Sequence, residues 1–312
     1  MGSDSGSFVI ETRNISKRYK DVQAVDGLSL GVRKGEIYGL LGPNGAGKST
    51  TIKMILSLTH PTGGEALING KKVSDGAVDL RRDIGYLPER IAFYENLTPV
   101  QTLSFFCELK GVDKSVVEPF LKEVGLEKHM NRKVGTYSKG MVQLVGVAQA
   151  MLGEPSIYIL DEPMGGLDPR WVKVVREKIM ALHEKGATVM FSSHILSEVQ
   201  ALCDRVAIIN RGKLIAEDTV ENISARLNIR PKLEITIRDL NGRVPDSLKG
   251  LEKVESVTAS GNTLYVTCDH ETRTQVIALL QREGYDIQDF RTVEPSLEEA
   301  FIRLITDDGE VG

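Results

Sequence analysis

The chain has 312 residues, of which 41 % are hydrophobic and 26 % are charged, and its formal net charge is −4. This ordinary, weakly acidic composition gives no indication of bulk nucleic-acid binding, and the length predicts two domains. The three cysteines are far apart and have neither metal-ligand nor disulfide spacing, which fits a reducing compartment. We find no signal peptide, and no apolar run approaches the roughly 20 residues that span a bilayer. We therefore expect a cytoplasmic protein whose Gly/Ser-rich residues 1–7 lie outside the folded part.

Strand patterns open the chain. FVIETRN and VDGLSLGV alternate apolar and polar residues, and IYGLL is a short apolar run typical of a buried strand. IYGLL leads into the glycine-rich GPNGAGKST, and TIKMILSL follows with helical spacing. EALINGKKV predicts one arm of a hairpin, and RRDIGYLPE predicts a strand that ends at Pro88.

Helical periodicity dominates residues 98–150, in VQTLSFFCELKG, SVVEPFLKEVGLE and the helix that follows YSKGM. Strand patterns then return in SIYILDEP, ATVMFSSH and DRVAIIN, separated by the helical stretches PRWVKVVREKIMALHEKG and ILSEVQALC. Strands that alternate with helices predict a mostly parallel, doubly wound sheet, into which residues 98–150 are a helical insertion.

The pattern changes near residue 228. LEITIRD, KVESVTA, TLYVTCD and YDIQDF predict strands, while TRTQVIALLQREG and the capped PSLEEAFIRLI predict helices. Residues 228–305 are therefore expected to form a small α+β accessory domain, in which we find no chemical motif.

The clearest chemical motif is GPNGAGKS, Gly42–Ser49, which matches G-x-x-x-x-G-K-[ST] at every fixed position. Its glycines allow backbone N–H groups to converge on a polyphosphate, Lys48 supplies a point charge, and the Ser49 hydroxyl can bind Mg²⁺. The strand before it and the helix after it are the context that a phosphate-binding loop requires. The predicted phosphate-loop residues are Gly42, Pro43, Asn44, Gly45, Ala46, Gly47, Lys48, Ser49 and Thr50.

Two further strands end in side chains suited to phosphate chemistry. SIYILDEP ends in two carboxylates, and because side chains alternate along a strand we expect Asp161 and Glu162 to take different roles. Asp161 can complete the Mg²⁺ shell, and Glu162 can polarise an attacking water. ATVMFSSH ends at His194, whose imidazole could reach the γ-phosphate or that water.

The order of these motifs resembles the ATP-binding cassette (ABC) family of transport ATPases over Phe8–Leu227. The phosphate loop, the glutamine-loop segment GYLPERIAFYENLT, the signature YSKGM, the Walker-B strand IYILDEP, the D-loop GGLDP and the switch-histidine segment SSH occur in the family's order. The resemblance implies a P-loop NTPase (RecA-like) core around a parallel sheet, an antiparallel β subdomain and a helical insertion. It also implies a homodimer that holds ATP between the phosphate loop of one copy and the signature of the other.

Residue roles follow from the resemblance position by position. Lys48, Glu162 and His194 match catalytic positions, Tyr19 matches the aromatic that stacks on adenine, and Asp168 matches the D-loop residue that communicates across the dimer. The residues that match the signature facing the partner's ATP are Ser138, Lys139 and Gly140.

The sequence departs from the family pattern in two places. Glu89 stands where the glutamine loop has Gln, and we expect it to join Ser49 and Asp161 in binding Mg²⁺, directly or through water. The usual LSGGQ signature becomes YSKGM, and we expect Lys139 to point to solvent.

The resemblance implies an ATP-hydrolysing subunit of an exporter-type ABC transporter, located at the inner face of the cell membrane. Residues 90–109 match the surface that contacts an integral membrane permease subunit. Within the family the chain most resembles the ATPase subunit of the copper-maturation exporter that serves nitrous oxide reductase.

Two alternatives stay open: an ATP-gated scaffold with weak hydrolysis, and a soluble ABC ATPase without a transport role. Intact Glu162 and His194 argue against the first. A single cassette without a long coiled coil argues against the second.

Overall fold

The computed structural model describes residues 8–75, 81–226 and 232–293, and the chain divides between Val220 and Glu221 into two compact units. The predictions for residues 1–7 and for a final helix at residues 295–305 lie outside the described residues. Within the described residues, none of the helices has the length and apolarity needed to cross a bilayer.

An antiparallel sheet forms the first layer of the larger unit, with strand order β2-β1-β4-β5. Its strands are β1 (Phe8–Tyr19), β2 (Val22–Arg33), β4 (Gly63–Ile68) and β5 (Lys71–Lys72). The β1–β2 pair is long and irregular in register, and one face of it is buried. This sheet is the antiparallel β subdomain that the resemblance implies.

The second layer is a six-stranded sheet of order β10-β9-β3-β8-β7-β6, parallel except for the antiparallel edge strand β10. Its strands are β3 (Ile37–Leu41), β6 (Ile84–Leu87), β7 (Ile157–Asp161), β8 (Thr188–Ser193), β9 (Arg205–Asn210) and β10 (Lys213–Thr219). Parallel strands present their carboxyl ends at one edge, so the segments that follow β3, β7 and β8 meet there. The fold class predicted from the sequence is confirmed.

The larger unit also contains helices. They are α1 (Lys48–Ile55), α2 (Pro99–Lys110), α3 (Val117–Glu123), α4 (Lys139–Met151), α5 (Pro169–Glu184), α6 (Leu196–Leu202) and, at the boundary of the units, α7 (Val220–Arg226). Local sequence sets their ends: Thr98 and Gln101 form a reciprocal capping box before α2, and Gly111 ends that helix in a left-handed conformation.

The core of the larger unit lies between the two sheets, around α1. Ile10, Leu28, Ile52, Ile55 and Met190 belong to one apolar cluster and are almost wholly buried. Full burial of a side chain of this size contributes about 1.5–3 kcal/mol relative to leaving it exposed. The phosphate-loop helix is therefore anchored in this apolar core through Ile52 and Ile55.

A polar network ties the edge strand β10 to the sheet. The Tyr38 hydroxyl donates to Glu217 at 2.7 Å, and Arg205 lies 2.8 Å from Glu217 and 3.2 Å from Glu36. Burial raises the pKa of Tyr38 well above its usual range and also raises the pKa of Glu36. Strand β10 was not predicted from the sequence. It forms a hairpin with β9 through Arg211 and Gly212, which both have positive φ, as in a two-residue hairpin turn.

The smaller unit has one antiparallel sheet of order β12-β13-β11-β14. Its elements are β11 (Lys232–Ile237), α8 (Asp246–Lys249), β12 (Val254–Ser260), β13 (Thr263–Cys268), α9 (Thr272–Arg282) and β14 (Ile287–Val293). Its own core includes Ile235, Val266, Val276 and Leu280. Four strands and the helix at 272–282 therefore lie where the sequence predicts them.

Candidate active site

The phosphate-binding loop lies between β3 and α1, at the carboxyl edge of the parallel sheet. Gly47 caps α1 with φ 105°, a left-handed conformation that favours glycine. A Cβ on Gly42 would lie 2.4 Å from the Ile209 carbonyl oxygen, and one on Gly47 would lie 2.5 Å from the Ala24 carbonyl oxygen. The loop therefore needs glycine at these two positions for close backbone packing as well as for access to phosphate.

Lys48 is buried inside this loop. Its ammonium donates to the carbonyl oxygens of Gly42 at 2.7 Å and Pro43 at 3.3 Å, and it lies 3.1 Å from Glu162 Oε1. A buried cation of this kind is held by the loop that it serves, so little side-chain freedom is lost when an anion binds.

Asp161 ends β7 and is held by two hydroxyls. Ser192 donates to Asp161 Oδ1 at 2.6 Å, and the Ser49 hydroxyl lies 3.1 Å from the same oxygen. Burial is the main cause that raises the pKa of Asp161, with Glu89 and Glu162 adding to it, while the two serine hydrogen bonds lower it. Ser49, from the phosphate loop after β3, and Asp161, at the end of β7, are thus in direct contact although β8 lies between the two strands.

Glu162 follows Asp161 with φ 50°, so β7 ends at the first carboxylate. Its backbone N–H donates to the Ser192 hydroxyl at 2.9 Å, which fixes this uncommon backbone conformation. Both carboxylates consequently face the phosphate-loop side of the sheet. The alternation used to separate their roles does not apply, because Glu162 is no longer part of the strand.

The Glu162 carboxylate contacts two side chains, the Lys48 ammonium through one oxygen and the His194 imidazole through the other. Its Oε2 lies 2.8 Å from His194 Nδ1, and its Oε1 is buried beside Lys48 without a hydrogen bond of good geometry. A buried carboxylate oxygen without such a bond is costly unless a donor arrives. Oε1 is paired with Lys48 by charge and can still accept a hydrogen bond from a substrate or from water.

Glu89 lies two residues beyond β6 and is exposed. Its Oε2 is 3.4 Å from the Ser49 hydroxyl, so three groups, one hydroxyl and two carboxylates, converge. Among the described residues there is no group of three or more His, Cys, Asp and Glu side chains with metal-binding geometry.

A cleft of about 1000 Å³ runs over these residues. Tyr19, which is 46 % exposed, lines this cleft, and the Lys17 ammonium lies 5.1 Å from the centre of the tyrosine ring. The phosphate loop, Glu89, Glu162 and His194 also line the cleft, as do Tyr137 and Lys139. The cleft thus combines an exposed aromatic ring with a phosphate-binding loop, as a nucleotide site requires.

The signature residues begin α4. Ser138 is the N-cap, and its hydroxyl accepts a long hydrogen bond of 3.4 Å from the Met141 N–H. Ser138 and Lys139 are exposed, whereas Gly140 is buried. The first turn of α4 therefore offers N–H groups and the positive end of a helix dipole at the surface. Asp168 is the N-cap residue of α5, and its side chain makes no capping hydrogen bond.

Three residues that the motif search did not select also shape the site. Ser192 positions both carboxylates, Gln143 donates from its buried amide to the Pro163 carbonyl oxygen at 3.1 Å, and Trp171 packs against Gly140. Ser192 could have been suspected from the pair of serines before His194. The other two depend on which helices meet in the fold.

The fold and the site together define a P-loop NTPase with a Walker-B carboxylate pair and a histidine directly after the neighbouring strand β8. A family model described as "ABC transporter" matches residues 25–165. A second, described as "ATP-binding protein DrrA1-3-like, C-terminal domain", matches residues 221–305.

Curated relatives match along almost the whole chain. A bacitracin transport ATP-binding protein from Bacillus licheniformis is 36 % identical over 301 residues, covering 96 % of this chain and 98 % of the relative. A linearmycin resistance ATP-binding protein from Bacillus subtilis (strain 168) is 32 % identical over 304 residues, covering 95 % and 98 %.

Solved structures of ATP-binding cassettes are also similar to this chain. An ATP-binding subunit of an ABC transporter is 35 % identical, with a TM-score of 0.65 over 70 % of this chain and 93 % of that one. A dimeric ATP-binding cassette in a post-hydrolysis state with ADP and phosphate is 26 % identical, with a TM-score of 0.63 over 67 % and 98 %.

This chain belongs to the ATP-binding proteins of the ABC transporter family. It is an ATP-hydrolysing subunit, as the sequence predicted. The resemblance to the exporter that serves nitrous oxide reductase stays a prediction.

Proposed function

We propose that two copies of this chain hydrolyse ATP at shared sites and drive a separate integral membrane permease. One observation carries the catalytic part: Lys48, Glu162 and His194 form a continuous set of contacts beside the Ser49–Asp161 pair. Groups that bind phosphate, polarise water and hold a cation therefore occupy one edge of one sheet.

The side chains divide the reaction between them. Lys48 exchanges loop carbonyl oxygens for phosphate oxygens, and Glu162 Oε1 accepts a hydrogen bond and then a proton from the attacking water. His194 holds Glu162 Oε2, which orients the carboxylate for in-line attack. Catalysis is mainly positioning and electrostatic stabilisation. Tyr19 supplies the face for adenine.

Mg²⁺ fits the donors present. The Ser49 hydroxyl lies 3.1 Å from an Asp161 oxygen and 3.4 Å from a Glu89 oxygen, so three hard oxygen ligands are close together. Repulsion between the two carboxylates makes a cation favourable there. Mg²⁺ usually takes only one or two carboxylates and keeps waters and substrate phosphates as its other ligands. When bound, it neutralises charge on the β- and γ-phosphates.

The second copy supplies the signature. Ser138 and Lys139 are exposed at the start of α4, and helix N-termini are natural binding sites for phosphate. The similar cassette described as dimeric with ADP and phosphate supports such an assembly. Ser138, Lys139 and Gly140 then face the partner's nucleotide, and Asp168, the N-cap residue of α5, communicates across the dimer.

A groove of about 370 Å³ supports contact with a permease. Phe93, Phe106 and Ile91 line it, with a T-shaped contact between the two phenylalanine rings. Tyr94, Phe105 and Leu109 lie nearby in the sequence and are exposed, which provides apolar surface for a partner helix. We propose this segment, residues 90–109, as the surface that places the ATPase at the inner face of the membrane.

Exporter-type transport is the form of the function that the relatives favour, since two of them are named for bacitracin transport or linearmycin resistance. An ATP-gated scaffold with weak hydrolysis is less favoured, because the Glu162–His194 pair is fully assembled. A soluble non-transport role is less favoured because the match to transport relatives includes the C-terminal unit.

Glu162→Gln tests the proposal, because it keeps the side chain's size and removes its capacity as a base. We expect ATP turnover to fall at least about 100-fold while ATP affinity is retained. Sedimentation velocity should show that the variant accumulates as a dimer in ATP and Mg²⁺. Glu177→Gln, at an exposed position of α5, is the matched control.

Two results would contradict the proposal separately. If Glu162→Gln keeps the turnover of the unmodified chain, the catalytic assignment is wrong. If it is inactive, binds ATP and stays monomeric at every protein concentration, the shared site is wrong.

A further inference from the structure

Trp171 is the only tryptophan of the chain, and it lies in the first turn of α5, directly after the D-loop. Its indole is half-buried against the signature. A Cβ built on Gly140 would lie 2.7 Å from Trp171 Cδ1 and 3.2 Å from Nε1. The first of these distances is shorter than a real Cβ contact allows and the second is unusually tight, so the indole occupies the space that a side chain at position 140 would need.

The backbone does not explain why residue 140 is a glycine. Gly140 lies in the first turn of α4 and is not among the residues with positive φ. Alanine is ordinarily favoured over glycine inside a helix. The direction in which a side chain would leave Gly140 leads to the same chain's indole, so at least part of the requirement for glycine is internal packing.

Further contacts join the same two segments. The Lys139 ammonium would lie 2.5 Å from a Cβ on Gly166, so it rests on the D-loop. The Gln143 amide donates to the Pro163 carbonyl oxygen in a buried hydrogen bond. On the outer side, the Arg170 guanidinium lies 5.2 Å from the Trp171 ring centre. The first turns of α4 and the segment 163–171 are thus connected at successive positions.

We infer that Trp171 is a positioning residue that fixes the signature turn to the D-loop, so that both meet the partner's nucleotide as one unit. The inference rests on the proposed shared site. Displacement of catalytic groups by about 1 Å can cost a factor of about 100 in rate. The capping hydrogen bond of Ser138 is long, at 3.4 Å, and the indole supplies a rigid contact to the same turn.

The test compares Gly140→Ala, Trp171→Ala and the double variant. Gly140→Ala introduces the methyl group that meets the indole, and we expect it to reduce turnover at saturating ATP about tenfold or more. In the double variant that conflict is gone, so turnover should recover at least about threefold over Gly140→Ala, which is a non-additive coupling. Met180→Ala removes an exposed apolar side chain from the same helix and is the matched control.

A second measurement separates positioning from general loss of structure. Trp171→Ala should raise the protein concentration required for half-maximal turnover about fivefold, because the signature turn is less well placed for association. Binding of a fluorescent ATP analogue to the phosphate loop should be unchanged. Trp171→Phe should restore most of the association, since it keeps an aromatic contact. If Trp171→Ala does not fold, Trp171→Leu takes its place in the cycle.

The outcomes are distinguishable. If Gly140→Ala is as damaging in the Trp171→Ala background as alone, the glycine serves only the partner's nucleotide and the inference is overturned. If Trp171→Ala leaves the concentration dependence unchanged, the inference is also overturned. If the Glu162→Gln variant itself forms no ATP-dependent dimer, the proposed function fails instead.

Discussion

The site has two halves that differ in how completely one chain assembles them. The phosphate-loop half consists of Gly42–Ser49 with Asp161, Glu162 and His194, and its side chains contact one another at 2.8–3.1 Å. The signature half consists of Ser138–Gly140, and its capping hydroxyl is exposed and makes one long hydrogen bond.

This difference has a physical meaning. Buried charges persist only when they are paired, so the phosphate-loop half must be nearly complete before ATP arrives. The free N–H groups of an exposed helix terminus can bind water, so the signature half needs no ligand to be stable in a single copy. Substitutions in the first half should therefore damage the chemistry, and substitutions in the second should damage association.

Lys48→Ala should have the largest effect. It removes the cation that contacts phosphate and leaves Glu162 without its buried counter-ion. We expect turnover to fall by about three orders of magnitude, with weaker binding of ATP in a fluorescence titration. Lys48→Arg keeps the charge in a wider shape and should also be nearly inactive. Near-normal turnover in either variant would contradict the assignment of this half.

Ser192→Ala should have the next largest effect. It removes the donor to Asp161 and the acceptor for the Glu162 N–H, and each group left unsatisfied costs about 1–3 kcal/mol. We expect a lower thermal unfolding midpoint and a fall in turnover of about tenfold or more. Ser193→Ala is the control, since that buried hydroxyl bonds to Glu198 instead. If both variants lose stability equally and keep turnover, Ser192 does not position the carboxylates.

Ser138→Ala should separate the halves most clearly. Its capping bond is long, so the free energy of unfolding should fall by no more than about 1 kcal/mol. The protein concentration required for half-maximal turnover should rise about five- to tenfold, because a contact with the partner's phosphate is lost. Thermal unfolding and an activity titration against protein concentration measure the two effects. Unchanged concentration dependence would remove the distinction between the halves.

Glu89→Gln should give the smallest effect. It restores the family's usual residue and removes one negative charge 3.4 Å from the Ser49 hydroxyl. We expect the Mg²⁺ concentration required for half-maximal nucleotide binding to rise about threefold, because a charged ligand is replaced by a neutral one. Glu95→Gln, at an exposed position beyond the cleft, is the control. An unchanged Mg²⁺ requirement would show that Glu89 is not a ligand.

The sequence predicted much of the phosphate-loop half because its parts follow strand ends. Periodicity located β3, β7 and β8, and the geometry of a parallel sheet brings their carboxyl ends together. The same periodicity gave a wrong reason for separating Asp161 from Glu162, since Glu162 leaves the strand with positive φ. No pattern of period two carries that local conformation.

Contacts between elements could not be predicted in this way. Gln143 reaches Pro163, and Trp171 fills the space beside Gly140, only because α4 and α5 meet in the folded chain. Neither residue belongs to a motif with a fixed spacing. Strand β10 was missed for a related reason: its half-buried pattern is weak, and much of its anchoring comes from Glu217 with Tyr38 and Arg205.

Complementation between two inactive variants tests the shared site most directly. Lys48→Ala lacks the phosphate-loop half and Ser138→Arg blocks the signature half, so each should be nearly inactive alone. Mixed in equal amounts, half of the dimers contain both variants and one intact site, which predicts up to about a quarter of the unmodified turnover. Recovery of that order, dependent on protein concentration, is the result we predict. A mixture no more active than the sum of its two components would contradict the account.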